Sequence, residues 1–417
     1  MAKPRSPKRA APPIRHTDVF RIRDGALGPV PRCTLDIRPF TVFIGRQGTG
    51  KSLVAQVLYF LEELPFLVAF IEGTQRKAKQ WSPQHITSSI LDQLRSSQRN
   101  FTAFANPKVQ IDWERSAPYE WPGGETRPKL TLRASKNKRL IDAPPPTWSF
   151  IDHLREAGRE RGTQIPHYAL FIPTERIVSS QLHSAIGSQL LSVPLTFTLF
   201  EEWLEQASLV ASQWMGGKPA SETARRIAQV GQDALGGHAE RKGDQWKWRF
   251  SAGKRSTQLD IDMASSGQRA NWPIPYIAQA LFDLRDDGEE AATLFVEEPE
   301  IHLHPSAQVE MVRILSMLVH EGFRVVLTTH SLNVIYALNN FIQASRLGDT
   351  VEEGVPEPEV RLKPQDVSVY AFTGGAPRQL VDVEAAFIDE RELGWVSEEL
   401  AAGLNRIGAL TLQQEEP

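Results

Sequence analysis

The eight residues from Gly45 to Ser52, GRQGTGKS, constrain this chain more than any other stretch. They set Gly45, Gly50, Lys51 and Ser52 at the spacing G-x-x-x-x-G-K-[ST]. Before them runs an apolar, alternating segment, CTLDIRPFTVFIG. After them comes SLVAQVLYFLEEL, in which Leu53, Val54, Val57, Leu58 and Leu61 recur at helical intervals. A strand, a glycine-rich loop and a helix in that order can wrap backbone N–H groups around phosphates, and the helix start adds its positive end. The stretch therefore predicts a nucleoside triphosphate site. Arg46, Gln47, Gly48 and Thr49 complete the cradle with the two glycines, Lys51 reaches the outer phosphates, and the Ser52 hydroxyl binds Mg²⁺.

Hydrolysis needs an acid at the end of a second buried strand to hold the cation, and a base to orient water. The segment TLFVEEPEIHLHP supplies both: Glu297 falls in the first role and Glu298 in the second. Two adjacent carboxylates repel unless cations stand close, and Mg²⁺ with Lys51 meets that need. His302 and His304 are metal-ligand types, but a two-residue spacing does not share a helical face, and no second cluster completes a zinc site. Two further pieces follow the same logic. MASSGQRA places Ser265, Ser266, Gly267 and Gln268 ahead of a helix, an uncharged anion site. VVLTTHS ends an apolar strand on His330, downstream of the paired glutamates.

With 417 residues, two or three lobes are expected around one scaffold. Alternating strand and helix patterns from ATLFVEE through SAQVEMVRILSMLVHE to FRVVLTTHS predict an α/β fold with a parallel or mixed sheet flanked by helices. The predicted layout has a disordered basic tail over 1–16 and an ATPase core over 17–66, 166–180 and 260–345. A helical and β-rich lobe is inserted over 67–165, with ITSSILDQLRSS its helical part. A helical lobe and a hairpin, QWKWRFSAGKRSTQLDID, fill 181–259, and closing strands and a helix fill 346–417. Net charge is −3, so no global field draws the chain to nucleic acid; KNKR and RKGDQWKWRF read as solvated faces. Cys33 is the only cysteine, no apolar run reaches the ~18 residues of a membrane span, and the N-terminus lacks a signal-peptide core. A cytoplasmic protein with no membrane partner is expected.

The order phosphate loop, SSGQ, strand with Glu-Glu, then His resembles the ABC-type ATPase head. MASSGQ, EEPEIHLHP and TTHS are similar in particular to the overcoming-lysogenization-defect (OLD-like), AAA-15 and AAA-21 ATPases. The resemblance covers short blocks between residues 17 and 345. It implies that two heads pair face to face, with Ser265, Ser266, Gly267 and Gln268 of one copy on the γ-phosphate of ATP held by the other copy's Gly45–Ser52. It also implies Glu298 as general base, His330 as γ-phosphate sensor, and a place for Glu175 and Arg176 of IPTER at the nucleotide edge. Gln47 departs from the usual Asn, and Glu297 from the commoner Asp.

OLD nucleases carry a Toprim metal-nuclease domain beyond this head. Here VEEGVPE and VDVE resemble its acids superficially, but QDVSVYAFTGG and LGWVSEELAAGL read better as closing elements of the ATPase. The resemblance then implies an ATP-driven switch working with a separate effector, such as a nuclease, in anti-phage defence. Two other readings stay open at this point: an SMC-like DNA-repair head that binds nucleic acid, and an assembly scaffold with structural ATP and little hydrolysis. A transporter motor fits least.

Overall fold

The computed structural model describes residues 17–63, 109–116, 119–121, 124–126, 129–134, 141–142, 169–178, 195–214, 219, 221–243, 245–252, 255–284, 292–391, 399 and 401–407. The basic tail, ITSSILDQLRSS and KNKR lie outside them.

The strands are β1 (Asp18–Asp24), β2 (Cys33–Ile37), β3 (Phe40–Gly45), β4 (Gln110–Glu114), β5 (Tyr119–Trp121), β6 (Gly124–Thr126), β7 (Lys129–Ala134), β8 (Ile141–Asp142), β9 (Ala169–Ile172), β10 (Gly237–Lys242), β11 (Gln245–Ala252), β12 (Arg255–Asp260), β13 (Thr293–Glu297), β14 (Arg324–Thr329), β15 (Val367–Phe372), β16 (Arg378–Gln379), β17 (Val381–Asp382) and β18 (Phe387–Ile388). The helices are α1 (Lys51–Glu62), α2 (Leu195–Ser212), α3 (Glu222–Leu235), α4 (Ser266–Asn271), α5 (Pro273–Leu284), α6 (Pro305–His320) and α7 (Leu332–Ala344).

A central sheet runs in the order β16-β15-β3-β14-β13-β9. Every pair from β15 to β9 is parallel; only the edge strand β16 is antiparallel. Its strands are continuous apolar runs because both faces are covered. Successive side chains alternate between faces, so one strand feeds two cores. Phe40, Val42 and Ile44 point to one, with Leu170, Val296, Leu327 and Val369, against Phe200, Ile227, Ile277, Ile314 and Leu338 of α2, α3, α5, α6 and α7. Phe43, Phe171, Phe295, Val326, Tyr370 and Phe372 point to the other, against Val54, Leu58 and Tyr59 of α1.

On that second side α1 is also covered by an antiparallel sheet of order β2-β1-β4-β7-β8, whose Phe20, Leu35, Ile111 and Trp113 join the same core. Two expectations are corrected here. CTLDIRPFTVFIG is not one strand: it turns at Arg38–Pro39, so that β2 and β3 belong to different sheets. The boundary drawn at residue 66 cuts through one sheet, because Phe20 pairs with Trp113 and Val19 with Glu114. The expected hairpin at 245–260 is present, but β10 adds a third strand to it.

The C-terminal segment completes the scaffold, since β15 pairs in parallel with β3, Phe372 opposite Gly45. Its acids have local work: Glu357 receives Arg313, and Asp382 Oδ1 accepts the Ala385 N–H at 2.8 Å.

At the N-terminal ends of the parallel strands sits a buried ionic cluster. Arg324 Nη1, on β14, lies 2.6 Å from Asp18 Oδ2 of β1 and 3.2 Å from Glu62 Oε1 of α1. The Thr293 hydroxyl donates to Glu62 at 2.6 Å, and the Ala169 N–H to Glu63 at 2.7 Å. The cluster thus ties both sheets and α1 together. Removing one partner of such a group leaves an uncompensated buried charge, costing about 3–5 kcal/mol. No helix among the described residues is long and apolar enough to cross a membrane.

Candidate active site

The loop between β3 and α1 stands at the opposite, C-terminal end of the sheet, where open α/β sheets hold ligands. Gly45 has φ +149°, and a Cβ there would run into the Phe372 carbonyl of β15. Gly50, φ +96°, caps α1 and abuts a Val30 methyl. Arg46, Gln47 and Gly48 are exposed at the tip, and the Thr49 hydroxyl donates to Arg46 O at 2.7 Å. Lys51 is buried and donates its ammonium to Gly45 O at 2.8 Å and Arg46 O at 2.9 Å. Burial lowers its pKa to about 8, against the opposing pull of Glu298, Glu300 and Glu297.

Strands β13 and β14 end beside this loop. Glu297 is buried at the tip of β13, accepting from Gln56 Nε2 at 3.3 Å and from the Ser52 side chain. Burial first, then the charge of Glu175, raises its pKa to about 7. Glu298 follows with φ +44°, a left-handed conformation uncommon for a non-glycine, and its N–H donates to Thr328 O at 2.9 Å. Its carboxylate Oε1 lies 3.1 Å from His330 Nε2, which lies 3.3 Å from Lys51 Nζ. Glu300 holds the histidine from behind: its Oε1 accepts from the Thr329 hydroxyl at 2.6 Å and the His330 N–H at 2.7 Å. His304 caps α6 through Ser306, which is the use the fold makes of it.

Ser265 is the N-cap of α4 and forms a reciprocal capping box with Gln268, whose Nε2 also donates to Leu235 O at 2.8 Å. Ser265 and Ser266 are exposed, while Gly267 is buried against the His302 carbonyl, where a Cβ would approach to 2.5 Å. The hydrogen bonds of Ser265 and Gln268 stay within the turn and reach α3; among the described residues none joins the chain's own phosphate loop.

The structure brings Lys51, Glu298 and His330 together, with Ser52 and Glu297 beside them. The sequence missed the role of Glu300 and misplaced Arg176. Glu300 looks like a third acid in a charged loop. Arg176, expected at the nucleotide edge, is instead fully buried beneath the strand ends, and its guanidinium donates to the carbonyls of Pro173, Ala270, Glu297 and Glu298. Neither signal is visible in spacing or periodicity.

The donors fit the groups that the loop implies. Ser52 and Glu297 present oxygens, and the Thr328 hydroxyl and Glu300 Oε2 are buried close by with no hydrogen-bond partner among the described residues, a set suited to a hard, hydrated divalent cation. Among the described residues no cluster of three or more His, Cys, Asp or Glu cages an ion, so such a cation would draw on phosphate oxygens and water.

A parallel sheet with a phosphate loop at the end of β3, a histidine at the end of the adjacent β14 and paired glutamates at the end of β13 defines an α/β P-loop ATPase head. In comparison with known proteins, residues 207–335 match the AAA_15 family, an AAA ATPase domain. The chain is 27% identical over 136 residues to the Old nuclease of Escherichia phage P2, covering 31% of this chain and 21% of that protein. It is 27% identical over 67 residues to the cobalt import ATP-binding protein CbiO of Salmonella typhimurium, covering 16% of this chain and 25% of that one. The matches thus span a fifth to a quarter of these relatives' lengths. Among solved structures, an SMC head bound to the C-terminal winged-helix domain of ScpA aligns over 90% of this chain and 99% of its own, at 12% identity and TM-score 0.43.

Proposed function

We propose that this chain is an ATP-hydrolysing switch whose heads pair face to face around two nucleotides and which drives a separate effector protein, such as a nuclease, in anti-phage defence. The observation that carries the hydrolysis is the convergence of Lys51 and Glu298 on His330, whose Nε2 lies 3.3 Å from Lys51 Nζ and 3.1 Å from Glu298 Oε1. Gly45, Arg46, Gln47, Gly48, Thr49, Gly50 and Lys51 hold the triphosphate of ATP. Ser52 and Glu297 hold Mg²⁺, which supplies charge neutralisation on the phosphates. Glu298 accepts a proton from the attacking water, and His330, facing both Glu298 and Lys51, hydrogen-bonds the γ-phosphate. Pairing is supported by the signature turn: Ser265 and Ser266 are exposed, the hydrogen bonds of Ser265 stay within the turn, and Met263 beside them is 75% exposed. A second copy would cover all three. Similarity to the phage P2 Old nuclease supports the OLD-like resemblance from which the nuclease effector and the defence setting are inferred.

The test compares wild type with Glu298→Gln for ATP turnover, and for mass by light scattering with and without ATP and Mg²⁺. The expected result is turnover only in wild type and an ATP-held pair in the mutant. Normal turnover by Glu298→Gln sinks the assignment. Constant assembly without turnover in either protein would favour a scaffold with structural ATP.

A further inference from the structure

Arg176 makes a set of contacts that a purely structural arginine does not need. It comes from the short 3-10 helix Thr174–Val178 that follows β9, and it is fully buried. Nη1 donates to Glu297 O at 2.6 Å, Nη2 to Glu298 O at 2.7 Å, and Nε to Ala270 O at 2.6 Å. Nη2 also reaches Asn271 Oδ1 at 3.2 Å. Asn271 in turn donates through Nδ2 to Gly267 O at 3.0 Å and Ile301 O at 2.7 Å. Gly267 meets the His302 carbonyl so closely that no side chain fits between them. One end of α4 and the loop 297–302 are therefore fastened by a fork of charge-assisted and amide hydrogen bonds, with no apolar slack between. Glu298, at φ +44°, keeps a sparsely populated backbone conformation that persists only where its surroundings hold it. The fork holds it at its carbonyl.

We propose that Arg176 is a positioning residue that sets the Glu298 backbone and, with Asn271, couples it to the Ser265–Gln268 turn. This rests on the ATPase reading above and extends it. In a face-to-face pair, the turn of one copy touches the nucleotide of the other, while Glu298 acts on its own. The fork then makes each site's chemistry depend on occupancy of the opposite site. A rigid link between two surfaces transmits a shift only if both contacts move together, and the shared donors on one guanidinium provide that.

The test uses the full chain with Arg176→Lys and Asn271→Ala, checked for folding by thermal melting and for ATP binding by calorimetry. The expected result is binding within about twofold of wild type but kcat lower by about a hundredfold in Arg176→Lys, as befits a base displaced by an ångström. Rate against ATP concentration should be sigmoidal in wild type and hyperbolic in Asn271→Ala. Folded variants with wild-type kcat and unchanged sigmoidicity overturn the coupling. If Arg176→Lys does not fold, Asn271→Ala alone decides. If wild type shows no turnover, the hydrolytic reading fails, and hydrogen exchange judges the coupling separately. A non-hydrolysable ATP analogue should protect residues 265–272 and 296–304 together in wild type, and not together in Asn271→Ala. Independent protection in wild type overturns it.

Discussion

His330 and Glu298 meet at 3.1 Å although they leave the sheet from different strands, β14 and β13. Their meeting depends on register: Glu297 pairs with Thr328, so the residues that follow emerge side by side. The histidine is further fixed by Glu300 through its own backbone N–H. His330→Ala should therefore lower kcat by about a hundredfold while ATP still binds, since Lys51 and the loop amides are untouched. Steady-state kinetics beside a binding isotherm reads this directly. An equal loss of binding would place His330 in nucleotide capture instead.

Metal affinity should depend on pH through Glu297. Burial holds its pKa near 7, and a cation needs the ionised form. Below that value apparent Mg²⁺ affinity should fall by up to about tenfold per pH unit; above it the affinity should level off. Mg²⁺ titrations of the ATP complex across this range check the slope, which Glu297→Gln should flatten.

The buried ionic cluster makes a separate prediction about stability. Burial pushes Asp18 upward, but Arg324 and Ser116 outweigh it, leaving its carboxyl below the ordinary value. Its stabilisation is therefore complete above that ordinary value and is lost as pH falls through the lower, folded one. Glu62 has the opposite sign: burial leaves it raised, so its share is complete at low pH and lost as pH rises through the raised value. Asp18→Asn should lower stability by about 3 kcal/mol at neutral pH and remove part of the acid limb. Melting curves over acid to neutral pH would show it; an unchanged acid limb would mean that Asp18 does not carry it.

Gly45→Ala should destabilise the chain by about 1–3 kcal/mol, because the new methyl meets the Phe372 carbonyl and φ is +149°. Gly48→Ala should be milder, since nothing lies within 4 Å of its would-be Cβ, although its φ of +74° still disfavours a side chain. Denaturant midpoints for the two variants, compared with wild type, give the order.

Much of the site was legible because its chemistry forces residue types at short range: the phosphate loop, the paired glutamates and the strand ending in His330 each sit within a dozen residues. The parallel sheet was legible for a related reason, as strands buried on both faces leave continuous apolar runs. What escaped lies in long-range pairing. One of the two partners of β1 is β4, some 90 residues on, and alternation in GHAERK is carried on its inner face by little more than Ala239, so β10 gave no signal. Glu62 looks like a surface charge in the sequence and Arg176 like a residue of the nucleotide edge; only the fold makes them interior ones.

The place of β15 beside β3 has a consequence for how the chain comes off the ribosome. The strand that bears the phosphate loop is made first, and its neighbour on one side is not translated until more than 300 residues later. Until then β3 offers an open row of amides and carbonyls, and Gly45 lacks the Phe372 carbonyl that walls it in. Nascent chains stalled before residue 367 should thus be poor at holding nucleotide and prone to strand-to-strand association, so the ability to bind ATP matures only once β15 has been made.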